Sequence, residues 1–89
     1  MSFEWDEEKA AANVAKHGIR FDYAARVFLD PYRLEMPDDR EEYGEVRYKT
    51  IGMAENRLLV VVYTIRHGNI RLISVRRAER YEQRQYHEV

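Results

Sequence analysis

The sequence predicts an α+β fold in which an N-terminal helical hairpin packs on an antiparallel β-sheet meander that is followed by a C-terminal helix. Two patterns predict this class. Apolar residues recur at helical spacing in the N-terminal third of the chain, whereas from Val46 onward they alternate with a period of two. Because 89 residues provide for one hydrophobic core, we assign residues 1–89 to a single domain.

The first helix is predicted over the sequence EEKAAANVAKH, which follows Asp6. Asp6 is a favourable N-cap, and Gly18 suits the left-handed conformation that ends many helices. Ala10, Val14 and His17 stand at i, i+4 and i+7, which predicts that they form the inner face of this helix.

The remaining elements follow from local patterns. A short strand or extended entry is expected at FEWD, and a second short helix fits FDYAARVFLD, which Pro31 ends. A short strand is expected at 33–36, followed by an exposed acidic loop at 37–45. Alternation then predicts three successive strands, EVRYKTIGMA, RLLVVVYTIR and NIRLISVRR, before a final helix, AERYEQRQYHEV. We expect the helices on one face of the sheet.

The register of the meander decides which side chains share a face. A three-residue loop at 67–69 places Arg66 opposite Ile70 and Val62 opposite Ser74. The core face is then predicted to hold Val46, Tyr48, Leu59, Val61, Tyr63, Ile65, Ile73 and Val75, with Arg71 as its one charged member. The other face is predicted to collect Arg47, Lys49, Arg66, Ser74 and Arg76 among Ile51, Val60, Val62, Thr64 and Leu72. The sequence therefore predicts one basic sheet face.

Composition limits the kind of protein. The net charge is −1, but residues 1–44 carry six basic against eleven acidic residues and residues 45–89 carry nine against five. Such asymmetry favours a surface for an anionic ligand. The chain has no cysteine, and no apolar run approaches the length of a membrane span, so we expect a cytoplasmic protein without disulfides.

The basic face is suited to RNA, whose 2′-hydroxyl is itself a nucleophile. A protein then needs only to align that hydroxyl, stabilise the charge on the phosphate with Arg or Lys, and move two protons. The three histidines, His17, His67 and His87, have no metal-ligand spacing, so no metal site and no cofactor are expected.

The final helix allows two interpretations. The arginines at its start and along it, Arg76, Arg77, Arg80 and Arg84, are related by three, four or seven residues. Part of this set therefore extends the basic face, with Tyr81 and Tyr86 beside it. In the alternative, Tyr81 packs against the sheet and the arginines pair with the nearby glutamates, Glu79 and Glu82.

Several segments resemble the BrnT family of bacterial type II toxins: FEWDEEKAAANVAKHGIRFDYAARVF, YKTIG, RLLVVVYTIR and IRLISVRRAERYEQRQY. The resemblance covers residues 3–86. It includes a W-D-x-x-K-x-x-x-N-x-x-K-H-G pattern, carried by Trp5, Asp6, Lys9, Asn13, Lys16, His17 and Gly18. It also includes an I-S-x-R-x-A ending, carried by Ile73, Ser74, Arg76 and Ala78.

The resemblance implies a RelE-like fold and an endoribonuclease that inhibits translation. It also implies a BrnA-like DNA-binding antitoxin as partner, through which the pair reaches operator DNA. Arg66 and Arg76 match arginines that matter for toxicity in the family, and Lys49 and Arg47 match basic positions of RelE-like toxins by their place in the fold. We therefore expect Arg66, Arg76 and Lys49 to be catalytic.

Other candidate residues are assigned with less specific chemistry. RNA contacts are expected at Arg47, Arg77, Arg80, Arg84 and Tyr86, and the candidate acid and base residues are His17 and His67. In the alternative function, the chain is a non-enzymatic subunit whose basic face binds a partner protein or operator DNA. It would then bind without cutting RNA.

Overall fold

The computed structural model describes residues 2–38 and 44–88. Its strands are β1 (Phe3–Trp5), β2 (Leu34–Pro37), β3 (Tyr48–Ala54), β4 (Arg57–Arg66) and β5 (Asn69–Arg77). Its helices are α1 (Glu7–His17), α2 (Phe21–Ala24), which continues as a 3₁₀ helix (Ala25–Leu29), and α3 (Arg80–His87). The α+β class and the predicted order of elements are confirmed. The central part of the predicted acidic loop at 37–45 lies outside the described residues. No described helix has the length and apolar character that a membrane crossing requires.

The described strands form one mixed sheet in the order β1-β5-β4-β3-β2. Strands β3, β4 and β5 form the predicted antiparallel meander, and β2 extends it on one edge. On the other edge β1 pairs with β5 in parallel, with Phe3 beside Ile70 and Trp5 beside Leu72. The sequence did not predict this parallel pair, because its partners are separated by most of the chain.

The β4–β5 hairpin differs from the prediction in its turn. His67 and Gly68 both have positive φ, 52° and 78°, and Arg66 pairs with Asn69, so the loop has two residues and not three. Such turns match the twist of paired strands. A register shift between Val62 and Tyr63 then brings Val62 opposite Ser74, as predicted.

This register shift is a β-bulge. It places the side chains in the first half of β5 on the faces opposite to those predicted. Leu72 lies opposite Tyr63 and joins the main core, whereas Arg71 lies opposite Thr64 on the other face. The prediction that Ile73 enters the core and that Leu72 lies among the basic residues is therefore wrong. Arg71 is not an exception within the core face, since it belongs to the basic one.

The helical face of the sheet packs against α1, α2 and the 3₁₀ helix. Its buried core comprises Ile19, Phe21, Ala24, Val27, Ala54, Leu59, Val61, Tyr63, Ile70, Leu72 and Val75. Val46 and Ile65 were predicted to lie in this core but are 66% and 45% exposed. Both residues lie past Tyr63 toward the β4–β5 turn. The helical side chains cover the sheet only as far as Phe28, whose ring contacts Tyr63 edge to face.

Helix α1 begins and ends as predicted. The Asp6 side chain accepts hydrogen bonds from the backbone at its N-terminus, and Gly18 is left-handed at φ 71°. Its buried residue is Asn13, however. Of the predicted inner face, Ala10 does pack against the core, but Val14 is 43% exposed and the prediction is wrong for it. Asn13 accepts from the Val75 N–H at 3.0 Å and donates to the Ile19 carbonyl at 3.1 Å, which explains why a polar residue is buried.

Helix α3 lies on the opposite side of the sheet from the other helices. It belongs to a smaller cluster formed by Ile51, Val60 and Ala78 with Leu34, Met36, Leu58 and Tyr86. The prediction of helices on one face is therefore wrong for α3. The Tyr86 hydroxyl donates to Asp30 at 2.5 Å, which ties the end of α3 to the turn after the 3₁₀ helix. We call this side of the sheet the α3 face.

Candidate functional site

The α3 face brings two of the predicted catalytic residues together. Lys49 on β3 and Ser74 on β5 both lie opposite Val62, and Arg76 lies opposite Val60. Alternation along the strands turns all three side chains toward α3. Arg76 and Lys49 are thus neighbours across the central strand, as the predicted basic face requires.

The carboxylate of Glu82, in the first turn of α3, lies between these two cations. Its side chain is fully buried. Arg76 donates from Nη1 to Oε1 at 2.7 Å and from Nη2 to Oε2 at 2.9 Å, and Lys49 Nζ lies 2.8 Å from Oε2. The backbone N–H of Glu79 donates to Oε1 at 2.8 Å, and the Tyr81 hydroxyl donates to Oε2 at 3.2 Å. Five donors therefore share one carboxylate.

This environment fixes the charges of the group. Burial alone raises the pKa of Glu82, but hydrogen bonds from Arg76, Lys49 and the Glu79 backbone outweigh it and lower the pKa to about 2. The same carboxylate raises the pKa of Arg76 against the opposing effect of burial. Both groups are ionised across the physiological range. Two cations therefore face the buried Glu82 carboxylate, and the more exposed Glu79 carboxylate lies 3.9 Å from Arg76 Nη1.

Arg76 keeps part of its hydrogen-bonding capacity. The end edge of its guanidinium, Nη1 and Nη2, holds Glu82, and the second proton of Nη1 points to the Arg77 carbonyl at 3.2 Å. Among the described residues no acceptor bonds the side edge, formed by Nε–H and the other Nη2–H. The side chain is 28% exposed. This edge has the two-donor geometry that binds a phosphate in bidentate fashion.

Tyr81 forms one wall of the cluster. Its ring centroid lies 5.5 Å from Lys49 Nζ, and the residue is 46% exposed although its hydroxyl reaches Glu82. Both earlier interpretations hold in part, because Glu82 does pair with Arg76 while Tyr81 still presents a ring to solvent. An exposed ring beside cations is suited to stacking a nucleobase.

A protein-family profile matches residues 5–82 and is described as the ribonuclease toxin, BrnT, of type II toxin-antitoxin systems. The chain belongs to this family. No curated protein sequence matches the chain. Membership in the BrnT family makes RNA the substrate class and an antitoxin the partner class. The resemblance drawn from the motifs is thereby confirmed.

For a BrnT-family toxin, the position of Arg66 is informative. It lies on the α3 face of β4, six residues from Val60, the residue that pairs with Arg76. This separation corresponds to roughly 20 Å. Arg66 pairs with Glu45 at 2.9 Å, and Arg47 Nε lies 3.5 Å from the same carboxylate. The hydrogen bond from Arg66 lowers the pKa of Glu45. Arg66 and Arg76 therefore cannot bind one phosphate.

Arg71 lies between these two arginines and was missed as a candidate. The bulge in β5 places it on the α3 face, where it pairs with Glu4 of β1 at 2.7 Å. No sequence signal marks the bulge, so its face was assigned wrongly. The α3 face thus carries Arg76, Lys49, Arg71 and Arg66 in that order, and each of them has a carboxylate partner.

A second set of arginines has no carboxylate partner in the part of the chain that the structure describes. Within residues 2–38 and 44–88, no carboxylate lies within ion-pair distance of Arg57, Arg77, Arg80 or Arg84, and all four are exposed. Arg77 lies opposite Leu59, so its side chain leaves the strand on the helical face, whereas that of Arg76 leaves it on the α3 face. Arg57 and Arg77 line an open groove of about 390 Å³ at the β3–β4 hairpin end of the sheet, whose floor is Met53, Leu58 and Ala78.

The remaining predicted residues lie away from the Arg76–Lys49 pair. Tyr86 donates to Asp30, and burial together with this hydrogen bond raises its pKa to about 12. His17 ends α1 on the helical side, and His67 is exposed in the β4–β5 turn. Among the described residues no three His, Asp or Glu side chains converge as metal ligands would.

Glu82 is the main residue that the site prediction omitted. A signal for it existed in the spacing Glu79-x-x-Glu82, because the two residues form a capping box at the start of α3. That pattern places the Glu82 side chain back toward the helix N-terminus. It therefore points to the end of β5, where Arg76 lies.

Proposed function

We propose that this protein is a metal-independent endoribonuclease toxin that inhibits translation, with a RelE-like arrangement of its fold. The observation that carries the proposal is the Arg76–Lys49 pair on the α3 face, with one edge of Arg76 unoccupied among the described residues. Family membership supplies the ribonuclease class. The mechanism and the residues are our inference.

In the proposed reaction, the RNA supplies its own nucleophile. The 2′-oxygen attacks the adjacent phosphorus, the bond from phosphorus to the 5′-oxygen breaks, and the products are a 2′,3′-cyclic phosphate and a 5′-hydroxyl. One proton leaves the 2′-hydroxyl and one reaches the 5′-oxygen. Arg76 and Lys49 stabilise the extra negative charge on the pentacovalent phosphate, which is the largest contribution expected from such a site. No step requires a metal.

Proton transfer needs a group with a mobile proton beside the phosphate. In the cluster, Lys49 and the hydroxyl of Tyr81 carry such protons, whereas Glu82 is saturated with donors. His17 and His67 both lie away from the Arg76–Lys49 pair, so neither could reach a phosphate bound there. Because Lys49 and Tyr81 are proton donors, we assign to them, in preference to the histidines, the donation of a proton to the 5′-oxygen, while the proton of the 2′-hydroxyl leaves to solvent water.

The rest of the basic surface binds RNA without reacting. Arg71 and Arg66 follow Arg76 along the α3 face and contact successive phosphates of one strand. Four exposed arginines that have no carboxylate partner among residues 2–38 and 44–88 add long-range attraction and salt-dependent affinity: Arg57, Arg77, Arg80 and Arg84. We also propose that a BrnA-like antitoxin silences the toxin by placing an acidic segment on this surface, and that this DNA-binding antitoxin carries the pair to operator DNA in the cytoplasm.

The proposal is tested by incubating purified protein with end-labelled RNA in the presence of EDTA. We expect cleavage with cyclic phosphate ends, and a loss of about 100- to 1,000-fold for Arg76→Ala. Arg20→Ala is the matched control, because Arg20 is an exposed arginine that pairs with Asp22 on the helical side. Binding of RNA or antitoxin without any strand scission would support a non-enzymatic subunit and refute the proposal.

A further inference from the structure

The position of Glu82 is unusual for a site that binds phosphate. A fully buried carboxylate occupies the centre of the cationic cluster and takes five hydrogen bonds. Three roles are compatible with such a place: a general base, a plug that imitates phosphate, or a support that orients the cations. The geometry distinguishes among them.

The role of general base conflicts with the hydrogen bonding. A carboxylate offers about four lone-pair positions, and five donors already surround those of Glu82. Oε1 accepts from Arg76 and from the Glu79 backbone, while Oε2 accepts from Arg76, Lys49 and Tyr81. A proton from RNA would have no free position to occupy, and the side chain is closed to solvent.

The role of plug conflicts with the way α3 is attached. Glu82 belongs to the capping box that begins α3, and the same helix is held by the buried Ala78 and by the bond from Tyr86 to Asp30. Displacing the carboxylate would therefore break the capping box and remove the shared partner of Arg76 and Lys49. Phosphate has no need to displace it, because the side edge of Arg76 has no bonded acceptor among the described residues.

We propose that Glu82 is a positioning residue that holds the end edge of Arg76 and the ammonium of Lys49, so that the side edge of Arg76 and the remaining Lys49 protons face one RNA phosphate. This inference rests on the proposed ribonuclease function. A bidentate clamp on Arg76 fixes the plane of the guanidinium, and the plane decides where its two remaining donors point. Lys49, on a flexible stem, gains a fixed location from the same carboxylate.

The test is a kinetic double-mutant cycle with the purified full chain. In Glu82→Gln we expect kcat for RNA cleavage to fall about ten- to a hundred-fold with KM within twofold of the parent, because misplacement affects the transition state. In an Arg76→Ala background, Glu82→Gln should cost less activity than in the parent, because only the positioning of Lys49 remains to be lost. Glu55→Gln is the matched control, since Glu55 pairs with the exposed Arg26 at the β3–β4 turn.

Two further measurements separate positioning from a merely structural role. The pH–rate profile of Glu82→Gln should keep the shape of the parent at lower amplitude, whereas loss of its acid limb would identify Glu82 as a base and overturn the proposal. Glu82→Asp retains the charge and should recover part of the lost rate. If Glu82→Gln does not fold, Glu82→Asp replaces it in the cycle, with a smaller loss of kcat expected.

Other outcomes are equally decisive. An increase in kcat for the Glu82 variants would identify the carboxylate as a plug, and additive losses with Arg76→Ala would show that it acts elsewhere. Either result overturns the positioning role while leaving the ribonuclease function intact. Failure of the parent protein to cleave RNA at all would instead refute the proposed function on which the inference rests.

Discussion

The charge of Glu82 should make the free energy of unfolding depend measurably on pH. Its pKa is about 2 in the folded protein, against 4.5 for an ordinary glutamate. Because the folded pKa is the lower one, ionised Glu82 stabilises the fold above pH 4.5, and this contribution is lost as pH falls toward 2. At about 1.4 kcal/mol for each unit of pKa, the contribution is about 3 kcal/mol at neutral pH. Roughly 2 kcal/mol of it should be lost by about pH 3.

The assay is urea unfolding of the parent and of Glu82→Gln at pH 7 and pH 3. The single tryptophan, Trp5, packs edge-on against Phe21 with centroids 6.0 Å apart and provides a fluorescence signal for the core. Other carboxylates with lowered pKa destabilise both proteins alike in acid, so only the difference matters. The parent should lose about 2 kcal/mol more than the variant between these values. Parallel losses would refute the assignment of a strongly lowered pKa to Glu82.

Three further substitutions test how the site is supported, each through the free energy of unfolding. Tyr86→Phe removes the hydrogen bond to Asp30 and should cost about 2 kcal/mol; no change would mean that the bond does not hold α3. Gly52→Ala would place a methyl group 2.6 Å from Val27 Cγ1 and should cost about 1–3 kcal/mol by overpacking, whereas a neutral effect would show that the sheet can yield there. Asn13→Ala leaves two buried backbone groups without partners and should cost at least about 2 kcal/mol, with equal stability counting against the buried bonds.

Local chemistry in the sequence was sufficient to predict α1 and the central strand. Asp6 and Gly18 mark the ends of α1 because capping depends on neighbouring residues alone. The run from Leu58 to Ile65 is apolar on both faces because β4 lies in the middle of the sheet with helices on both sides. These features need no knowledge of distant contacts.

The register of β5 could not be predicted in the same way. Two- and three-residue turns at His67-Gly68 differ little in local preference, and the bulge that follows compensates for the shorter turn. As a result Ser74 was assigned correctly and Arg71 was not. A bulge depends on how the whole sheet twists against its helices, and this information is not local.

The candidate site was predicted in its cations but not in its carboxylate. Arg76 and Lys49 follow from alternation along two strands, which the sequence shows directly. Glu82 was considered only as an ion-pair partner of nearby arginines, because nothing local says which face of the sheet α3 covers. The position of α3 depends on Ala78 and on the long-range contact from Tyr86 to Asp30, 56 residues apart in sequence.

The central claim is that the reacting phosphate binds at Arg76 and Lys49 and not elsewhere on the basic face. Single-turnover cleavage of RNA at saturating protein measures the chemical step without the contribution of binding. The account predicts that Arg76→Ala slows this step at least about 100-fold, whereas Arg66→Ala, roughly 20 Å away, leaves it within a few-fold of the parent. A large loss for Arg66→Ala with little effect of Arg76→Ala would contradict the account and place the reaction at the other end of the sheet.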